Sequence, residues 1–254
     1  AACNGVVGLR PSPGRVPRGI RLPSMDTLWV EGPMARNGDD LALMLDAGVG
    51  HQIDDPLSFD HSGSSFVDIL EGTDTPKRVA FSPDLSIVSM EKEIAEVCGG
   101  ATTLFSDCGA EVTDEIPDFT GVLEAFQTLR AVLFATMMEP ILKQHRDSIA
   151  PEIIGNIERG LNIKPAQIFE AERVRIELFK KVLVFFETHD FLICPAASIA
   201  PFPVDQRYVT EIDGKPCETY IDWFSITFAL TMTACPTISV PCGFTSEGLP
   251  VGIQ

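Results

Sequence analysis

Apolar residues recur along this chain at two spacings, and segments rich in polar residues, Gly and Pro separate them. Short continuous apolar runs predict buried strands, because a strand covered on both faces has no polar alternation. Such strands are expected over residues 5–9, 78–82, 110–112, 191–194, 237–240 and 249–254. Apolar residues three and four positions apart predict helices. Helices are expected over residues 38–49 and 89–105, over much of 118–189, and over 221–233.

The order of these elements indicates the kind of sheet they form. A strand, a helix and a second strand follow one another between Arg78 and Val112. This order predicts a parallel pair joined by a right-handed crossover. The last two strands are separated only by a turn at residues 246–248, so they should pair antiparallel. The sequence therefore predicts an α/β protein with a mixed sheet.

Several residues should mark or flank the helices. Ser89 and Asp118 are expected at helix starts, because their side-chain oxygens can accept hydrogen bonds from free backbone N–H groups. Pro165 suits the first turn of a long helix, where its missing N–H costs nothing. Arg173 and Arg175 lie off the apolar stripe of that helix, so both should be in solvent.

Two long segments show neither helical nor strand spacing. Residues 1–36 are rich in Gly, Pro and Arg, and the arginines should hold loop carbonyls or carboxylates. These arginines are Arg10, Arg15, Arg18 and Arg21. Residues 195–220 form a Pro-containing loop directly after a predicted buried strand. Because sites in sheet proteins open at strand ends, this loop is expected to carry function.

The charge of the chain excludes some kinds of partner. Its 254 residues carry a net charge of −17, whereas a nucleic-acid surface needs clustered Lys and Arg. Between Asp39 and Asp74 stand nine acidic residues and no Lys or Arg, which predicts a solvated surface. No apolar run is long enough for a membrane span. We therefore expect neither a nucleic-acid nor a membrane partner.

The cysteines and histidines predict no metal site. The seven cysteines include no C-x-x-C pair, and the four histidines show no metal-ligand spacing, so no metal or cofactor is expected. Most cysteines stand in apolar sequence and should behave as small core residues in a reducing cytoplasm. The seven cysteines are Cys3, Cys98, Cys108, Cys194, Cys217, Cys235 and Cys242.

Four sequence features, in order along the whole chain, carry a family resemblance. The first is AACNGVVGLRPSPGRVP at residues 1–17, and the second is GPMAR at residues 32–36. The third is FLICP at residues 191–195. The fourth combines PTISVPCG at residues 236–243 with GLPVGIQ at residues 248–254. Together they resemble the amidase signature family, which are serine hydrolases that cleave carboxamide C–N bonds.

This resemblance implies a fold and a catalytic apparatus. The fold is α/β, with a mixed, mostly parallel β-sheet flanked by helices on both faces. The catalytic apparatus is a Ser–cis-Ser–Lys triad, and all three of its residues map before Ala1. Residues 1–254 are therefore expected to be the C-terminal portion of a single amidase domain, with no catalytic residue of their own. The run SGSS at residues 62–65 resembles a family element that precedes the nucleophile, so we interpret it as an ordinary loop.

By the same resemblance, this chain supplies the wall of the acyl pocket. Small side chains in the loop after the strand at 191–194 leave room for substrate, and Trp223 offers an apolar wall with one hydrogen-bond donor. The predicted substrate-binding residues are Pro195, Ala196, Ala197, Ser198, Ile199, Trp223, Ile226 and Thr227. The alternative is that Trp223 and Ile226 are ordinary core residues. The chain departs from the family at Ala234, where Gly is common, and this implies slightly different backbone packing.

A self-sufficient catalytic pair would be the alternative to a nucleophile outside the chain. The residues that come into question are His189 and Cys194. Strand alternation should point their side chains in different directions, and apolar surroundings should raise the pKa of the thiol. We therefore expect no such pair.

The resemblance leaves three functions open. The first is part of a hydrolase that acts on a small carboxamide and requires the missing N-terminal half of the same protein. The second is a component similar to the A subunit of the amidotransferase that works on charged tRNA together with partner subunits, although the acidic balance argues against tRNA contact. The third is a remnant without catalysis. A homodimer is a further expectation.

Overall fold

The computed structural model describes residues 1–19, 25–72 and 74–254, so Arg21 lies outside the described residues. In these ranges the strands are β1 (Val7–Arg10), β2 (Met34–Ala35), β3 (Arg78–Phe81), β4 (Glu111–Thr113), β5 (Phe191–Ile193), β6 (Glu211–Ile212), β7 (Lys215–Pro216), β8 (Thr237–Phe244) and β9 (Pro250–Ile253). The α-helices are α1 (Gly38–Gly48), α2 (Phe66–Leu70), α3 (Lys92–Ala101), α4 (Thr103–Asp107), α5 (Val122–His145), α6 (Pro151–Asn162), α7 (Pro165–Phe185) and α8 (Ser225–Thr231). Short 3-10 turns lie at Ala2–Asn4, Arg146–Ser148 and Asp222–Phe224.

Seven of the described strands form a parallel and an antiparallel sheet that meet edge to edge, while β6 and β7 form a separate antiparallel pair. Strands β4, β3 and β5 pair in parallel, while β2, β1, β8 and β9 pair antiparallel in that order. Cys194 and Gln254 exchange two backbone hydrogen bonds of 2.9 and 2.7 Å, which join β5 to β9. The predicted parallel pair and the final antiparallel pair are confirmed. Among the described strands antiparallel pairings outnumber parallel ones, because β1 pairs antiparallel with β2 and β8, and β8 pairs antiparallel with β9.

Helices cover both faces of the joined sheets. One hydrophobic core includes Leu192 and Cys194 and packs against α5, α7 and α8. A second core contains Ile193 and packs against α3. Neighbouring residues of one strand thus point into different cores, as the twofold alternation of a strand requires. This arrangement explains why the segment at 191–194 is continuously apolar.

Two predicted helix caps are wrong, because tertiary contacts decide where these helices begin. Helix α3 starts after Glu91 rather than at Ser89. The backbone N–H of Glu91 donates to the carbonyl of Ser198, which fixes the chain just before the helix. Asp118 is not a cap either, since α5 starts after Gly121. The Asp118 carboxylate instead accepts a hydrogen bond from the Thr120 N–H and from Lys181, outside the helix.

The arginines near the start of the chain hold loops, as predicted. Arg10 donates to the carbonyls of Thr27 and Leu28. Arg18 forms a buried ion pair of 3.3 Å with Asp26 and also donates to its carbonyl. These contacts fix a segment that has little regular structure.

Three further arginines differ in how far they match expectation. The guanidinium of Arg15 lies 4.6 Å from the centre of the Phe59 ring, so it stacks on an aromatic ring instead of binding a loop carbonyl. Arg173 is exposed and pairs with its helix neighbour Glu170, as expected. Arg175 is half-buried and donates to the Thr27 hydroxyl, so the prediction that it is solvated is wrong.

The acidic segment between Asp39 and Asp74 is not simply a solvated surface. Asp55 is 3% exposed and accepts a hydrogen bond from the Arg18 N–H. Asp46 accepts hydrogen bonds from the Ser65 hydroxyl and the Phe66 N–H, and these hold the pKa of its carboxyl below the ordinary value. Ser65 itself caps α2. The serine run at 62–65 therefore has a structural role.

Three residues after the end of α8, the chain contains a residue with an unusual backbone conformation. Ala234 has φ +58°, in the left-handed region that glycine adopts without steric cost. This position is the one where the chain departs from the Gly of the amidase signature pattern. Ala234 therefore carries the strain of a conformation that glycine would adopt without cost.

Asp190 connects the starts of β3 and β5. Its carboxylate accepts hydrogen bonds from the backbone N–H groups of Lys77 at 2.6 Å and Arg78 at 2.9 Å. The Asp190 N–H donates to the Arg78 carbonyl at 2.7 Å. The N–H groups of Arg78 and Lys77 hold the pKa of Asp190 below its ordinary value. The ionised side chain thus secures the parallel pairing.

Substitutions at Ala234 should expose the strain of its backbone. We expect Ala234→Val to lower the free energy of unfolding by at least about 1 kcal/mol, because β-branched residues fit the left-handed region poorly. Ala234→Gly should not lower it, since relief of strain offsets the roughly 0.4–1 kcal/mol that glycine adds to unfolded-state entropy. Urea unfolding followed by circular dichroism measures both, and equal losses in the two variants would contradict this account.

Asp190→Asn should destabilise the fold in a pH-dependent way. A carboxyl whose pKa is lowered in the folded state stabilises it above the unfolded pKa of about 3.9, and this contribution is lost as pH falls through the folded pKa. The stability gap between wild type and variant should therefore be largest near neutral pH and shrink below about pH 4. Urea unfolding over a pH series measures the gap. Asp205→Asn, at an exposed position, is the control, and a gap independent of pH would argue against the ionised cap.

Candidate functional site

A cavity of about 340 Å³ opens beside the first residues of the chain. We call it the Ala1 cavity. Its lining comes from the start of the chain, from β1 and the segment at 30–34, from β8, from the loop after β5 and from α8. Segments from both ends of the sequence therefore meet at one place.

The loop after β5 is held against the cavity by hydrogen bonds on two sides. The Thr227 hydroxyl of α8 donates to the Ala196 carbonyl at 2.8 Å. The Ala196 N–H donates to the Gly252 carbonyl of β9 at 2.9 Å. The Gln254 side chain donates to the Pro195 carbonyl at 2.8 Å. These bonds place Ala196 and Thr227 in the cavity wall.

Farther along, the same loop is bonded between α3 and the turn before α8. The Ser198 N–H donates to the Trp223 carbonyl at 3.1 Å, and the Ser198 carbonyl accepts from Glu91 at 2.9 Å. The Glu91 carboxylate accepts from the Ala200 N–H at 2.9 Å. The Ser198 hydroxyl is fully buried and has no hydrogen-bond partner in the described part of the chain. The loop is therefore an ordered part of the structure.

The eight residues predicted to bind substrate occupy different positions around the site. Of this set, only Ala196 and Thr227 are among the described residues that line the Ala1 cavity. Ala197 and Ile199 line a cleft of about 10 Å³ next to Ala2. Ile226 belongs to the main core, as its alternative interpretation holds.

The remaining three predicted residues support the loop. Pro195 and Ser198 are fully buried. Trp223 packs edge-on against Phe202 and Phe224, with ring centres 5.3 and 4.8 Å apart. Substrate contact by any of the eight residues stays a prediction.

Several residues of the cavity wall were not singled out from the sequence. Gly8, Met34, Ser239 and Gln254 all line the Ala1 cavity. Each lies inside one of the segments that carry the family resemblance. Membership of these segments is the sequence signal that could have identified the four residues. The segments are far apart in sequence but meet around one cavity.

Two polar atoms at the Ala1 cavity are buried without a partner. Within the described residues, Arg10 Nη1 and Ser239 Oγ have no hydrogen-bond partner, and both residues line the cavity. Burial, together with the nearby Arg175, lowers the pKa of Arg10 to about 10 against the opposing effect of Asp26. The guanidinium is thus still charged at neutral pH. Unpaired buried polar groups cost about 1–3 kcal/mol each, so this site is suited to bind polar groups.

The side chains of His189 and Cys194 do not form a catalytic pair. The two ring nitrogens of His189 lie 3.0 Å from the hydroxyls of Thr113 and Thr188, and its ring stacks on Phe185. Cys194 is fully buried, and burial raises the pKa of its thiol to about 12. A neutral, inaccessible thiol is a poor nucleophile.

Residues 1–19, 25–72 and 74–254 contain neither a metal cluster nor a membrane-spanning helix. No group of three or more His, Cys, Asp or Glu side chains in these ranges could hold a metal ion. None of the helices there combines the length and apolar character needed to cross a bilayer. The cysteines are free thiols, and Cys108 is exposed.

Sequence comparison gives one family and several relatives. The family described as Amidase matches residues 1–254. An acylamidase from Rhodococcus erythropolis is 29% identical over 257 residues, covering 100% of this chain and 54% of the relative. A glutamyl-tRNA(Gln) amidotransferase subunit from Picosynechococcus sp. is 26% identical over 282 residues, covering 100% of this chain and 57% of the relative. The chain thus spans about half the length of the curated relatives it matches.

Solved structures show the same fold. A bacterial aryl acylamidase of the amidase signature family superposes with a TM-score of 0.86 at 25% identity, covering 100% of this chain and 55% of that protein. A 6-aminohexanoate cyclic dimer hydrolase complexed with substrate gives a TM-score of 0.83 at 21% identity. The match covers 100% of this chain and 57% of that protein. The second likeness bears on the fold alone. The predicted α/β class is confirmed.

Removal of the Thr227 hydroxyl should loosen the loop that forms the cavity wall. We expect Thr227→Val to lower the free energy of unfolding by about 1 kcal/mol or more, because the Ala196 carbonyl loses its donor. Thr227→Ser keeps the hydroxyl and is the matched control. Urea unfolding measures stability, and hydrogen exchange at the Ala197 and Ser198 amides reports the loop. Equal effects of the two variants would show that the hydroxyl is not what holds it.

Proposed function

This chain belongs to the amidase family, as the match over residues 1–254 shows, and from that premise we propose that it forms part of a carboxamide hydrolase. In this proposal residues 1–254 are the C-terminal portion of a single amidase domain. The nucleophilic serine, the bridging serine and the lysine belong to a segment that precedes Ala1. The short coverage of the relatives, which are about twice as long, supports this assignment.

The observation that carries the proposal is the Ala1 cavity with its two unpaired polar atoms. Buried donors and acceptors in proteins nearly always have partners. A further polypeptide segment that reaches Ala1, or a polar substrate, would supply partners for Arg10 Nη1 and Ser239 Oγ. Ala1 and Ala2 themselves line this cavity.

The chain would contribute binding and shape to the reaction rather than a reacting group. Amide hydrolysis needs a nucleophile, a base and donors for the oxyanion. Ala196 is small and leaves space for an acyl group, while Thr227 fixes the loop that carries it. The other predicted residues, from Pro195 to Ile199 with Trp223 and Ile226, keep this wall rigid. The proposed substrate is a small amide, and the proposed location is the cytoplasm, which suits free thiols.

A second candidate is a component of an amidotransferase. Several relatives are named as subunits of glutamyl-tRNA(Gln) amidotransferase, with 24–26% identity to this chain. The net charge of −17 disfavours direct contact with tRNA, so we rank this role second. Copurification with partner subunits would support it, whereas a free homodimer would count against it.

The isolated 254-residue chain should not hydrolyse amides, because it lacks the triad. We expect no release of 4-nitroaniline from 4-nitroacetanilide above the buffer blank. The product of the complete reading frame, including the segment encoded upstream of Ala1, should release it. An absorbance assay at matched protein concentration measures both.

Two outcomes would contradict this assignment. Turnover by the isolated chain would place the reactive group within residues 1–254. If the protein made from the complete reading frame folds but hydrolyses neither anilides nor simple aliphatic amides, the result would favour a remnant without catalysis. A serine-to-alanine variant at the upstream nucleophile is the control that separates true turnover from contamination.

A further inference from the structure

Two cysteines far apart in sequence lie side by side in the second core. Cys98 is in α3 and Cys242 is in β8, and their sulfur atoms are 3.8 Å apart. Both are free thiols. Neither residue lines the Ala1 cavity among its described lining residues, so they are not part of the site described above.

The close approach results from two local features of β8. The register between β8 and β9 shifts between Pro241 and Gly243, so Cys242 is the extra residue of a bulge. A bulge redirects the side chain it carries. At Gly243, an added Cβ would lie 2.8 Å from the Val97 side chain of α3, so the helix sits close to the strand only because this residue is glycine.

The two thiols are unequal in exposure and in acidity. Cys98 is fully buried, whereas Cys242 is half-buried. The hydrogen bond between the two thiols lowers the pKa of Cys242 and, together with burial, raises the pKa of Cys98. The thiolate is the more nucleophilic form of cysteine, so Cys242, which is the more exposed and the more acidic of the two, is the sulfur suited to react first.

We propose that Cys98 and Cys242 form an oxidation site that closes to an intramolecular disulfide in the presence of a peroxide. The Cys242 thiolate attacks one oxygen of hydrogen peroxide, which gives a sulfenic acid and releases hydroxide. The Cys98 thiol then attacks the sulfenic sulfur: the S–S bond forms as the S–O bond breaks, and the departing hydroxyl takes the thiol proton and leaves as water. Each cysteine sulfur loses one electron, and the peroxide is reduced to water.

Closure of this disulfide would bind α3 covalently to the sheet. The N-terminal end of α3 is already tied to the loop after β5, because Glu91 bonds to Ser198 and Ala200. The carboxylate of Glu93 accepts a hydrogen bond from the Ser246 N–H at the β8–β9 turn. The cross-link would add a third anchor, within the core, to a helix that supports the cavity loop. It should therefore make this part of the fold harder to unfold.

Peptide mapping tests the proposal on the 254-residue chain. The protein is treated with hydrogen peroxide, blocked with N-ethylmaleimide under denaturing conditions, digested and analysed by mass spectrometry. We expect a peptide pair that joins Cys98 to Cys242, two fewer free thiols per chain, and full reversal by dithiothreitol. The oxidised protein should also unfold at a higher urea concentration than the reduced one.

Variants make the result decisive. Cys242→Ser and Cys98→Ser should each abolish the linked peptide pair and the stability shift, and Cys242→Ala replaces the second variant if Cys98→Ser does not fold. Cys108→Ser removes an exposed thiol outside the pair and should leave both effects unchanged. The proposal is overturned if Cys98 and Cys242 both remain labelled while Cys108 is oxidised. It is equally overturned if Cys242 is overoxidised without linkage to Cys98.

Discussion

The two backbone hydrogen bonds between Cys194 and Gln254 are the constraint on which the site depends. They join the parallel sheet to the antiparallel sheet and fix the direction in which the chain leaves β5. Because the next residues are then held by Gly252 and Thr227, the loop has only one path, along the Ala1 cavity. Loss of this junction would leave two separate small sheets, each with an unprotected edge.

The wall of the Ala1 cavity carries a buried positive charge and a buried hydroxyl, although the chain as a whole is acidic. The chain has a large excess of acidic residues, yet the cavity wall contains the guanidinium of Arg10, which Asp26 offsets only in part. Ser239 adds an unpaired hydroxyl. A hydrophobic core of this size can tolerate a few such groups, but two at one cavity mark it as a place for a polar partner.

The sequence predicts the elements well and the tertiary contacts poorly. Strands and helices follow from apolar spacing, because burial of those residues drives their formation. The predicted caps at Ser89 and Asp118 are wrong. The Ser198 carbonyl fixes the backbone at the start of α3, and Lys181 binds the Asp118 carboxylate. The cavity wall could be predicted only in part, because it assembles from distant segments whose meeting depends on sheet order. Arg175 is a further example, since its partner lies in a loop without regular pattern.

The position of β1 has a consequence for how the protein reaches its native state. This strand lies in the interior of the antiparallel sheet, where Gly8 pairs with Met34 on one side and Ser239 on the other. On the ribosome it emerges long before β8 does. One of its edges must therefore wait unpaired until β8 has also emerged, and non-local pairings of this kind form slowly. Until then the nascent chain exposes an unpaired strand edge, which is the kind of surface at which partly folded chains aggregate.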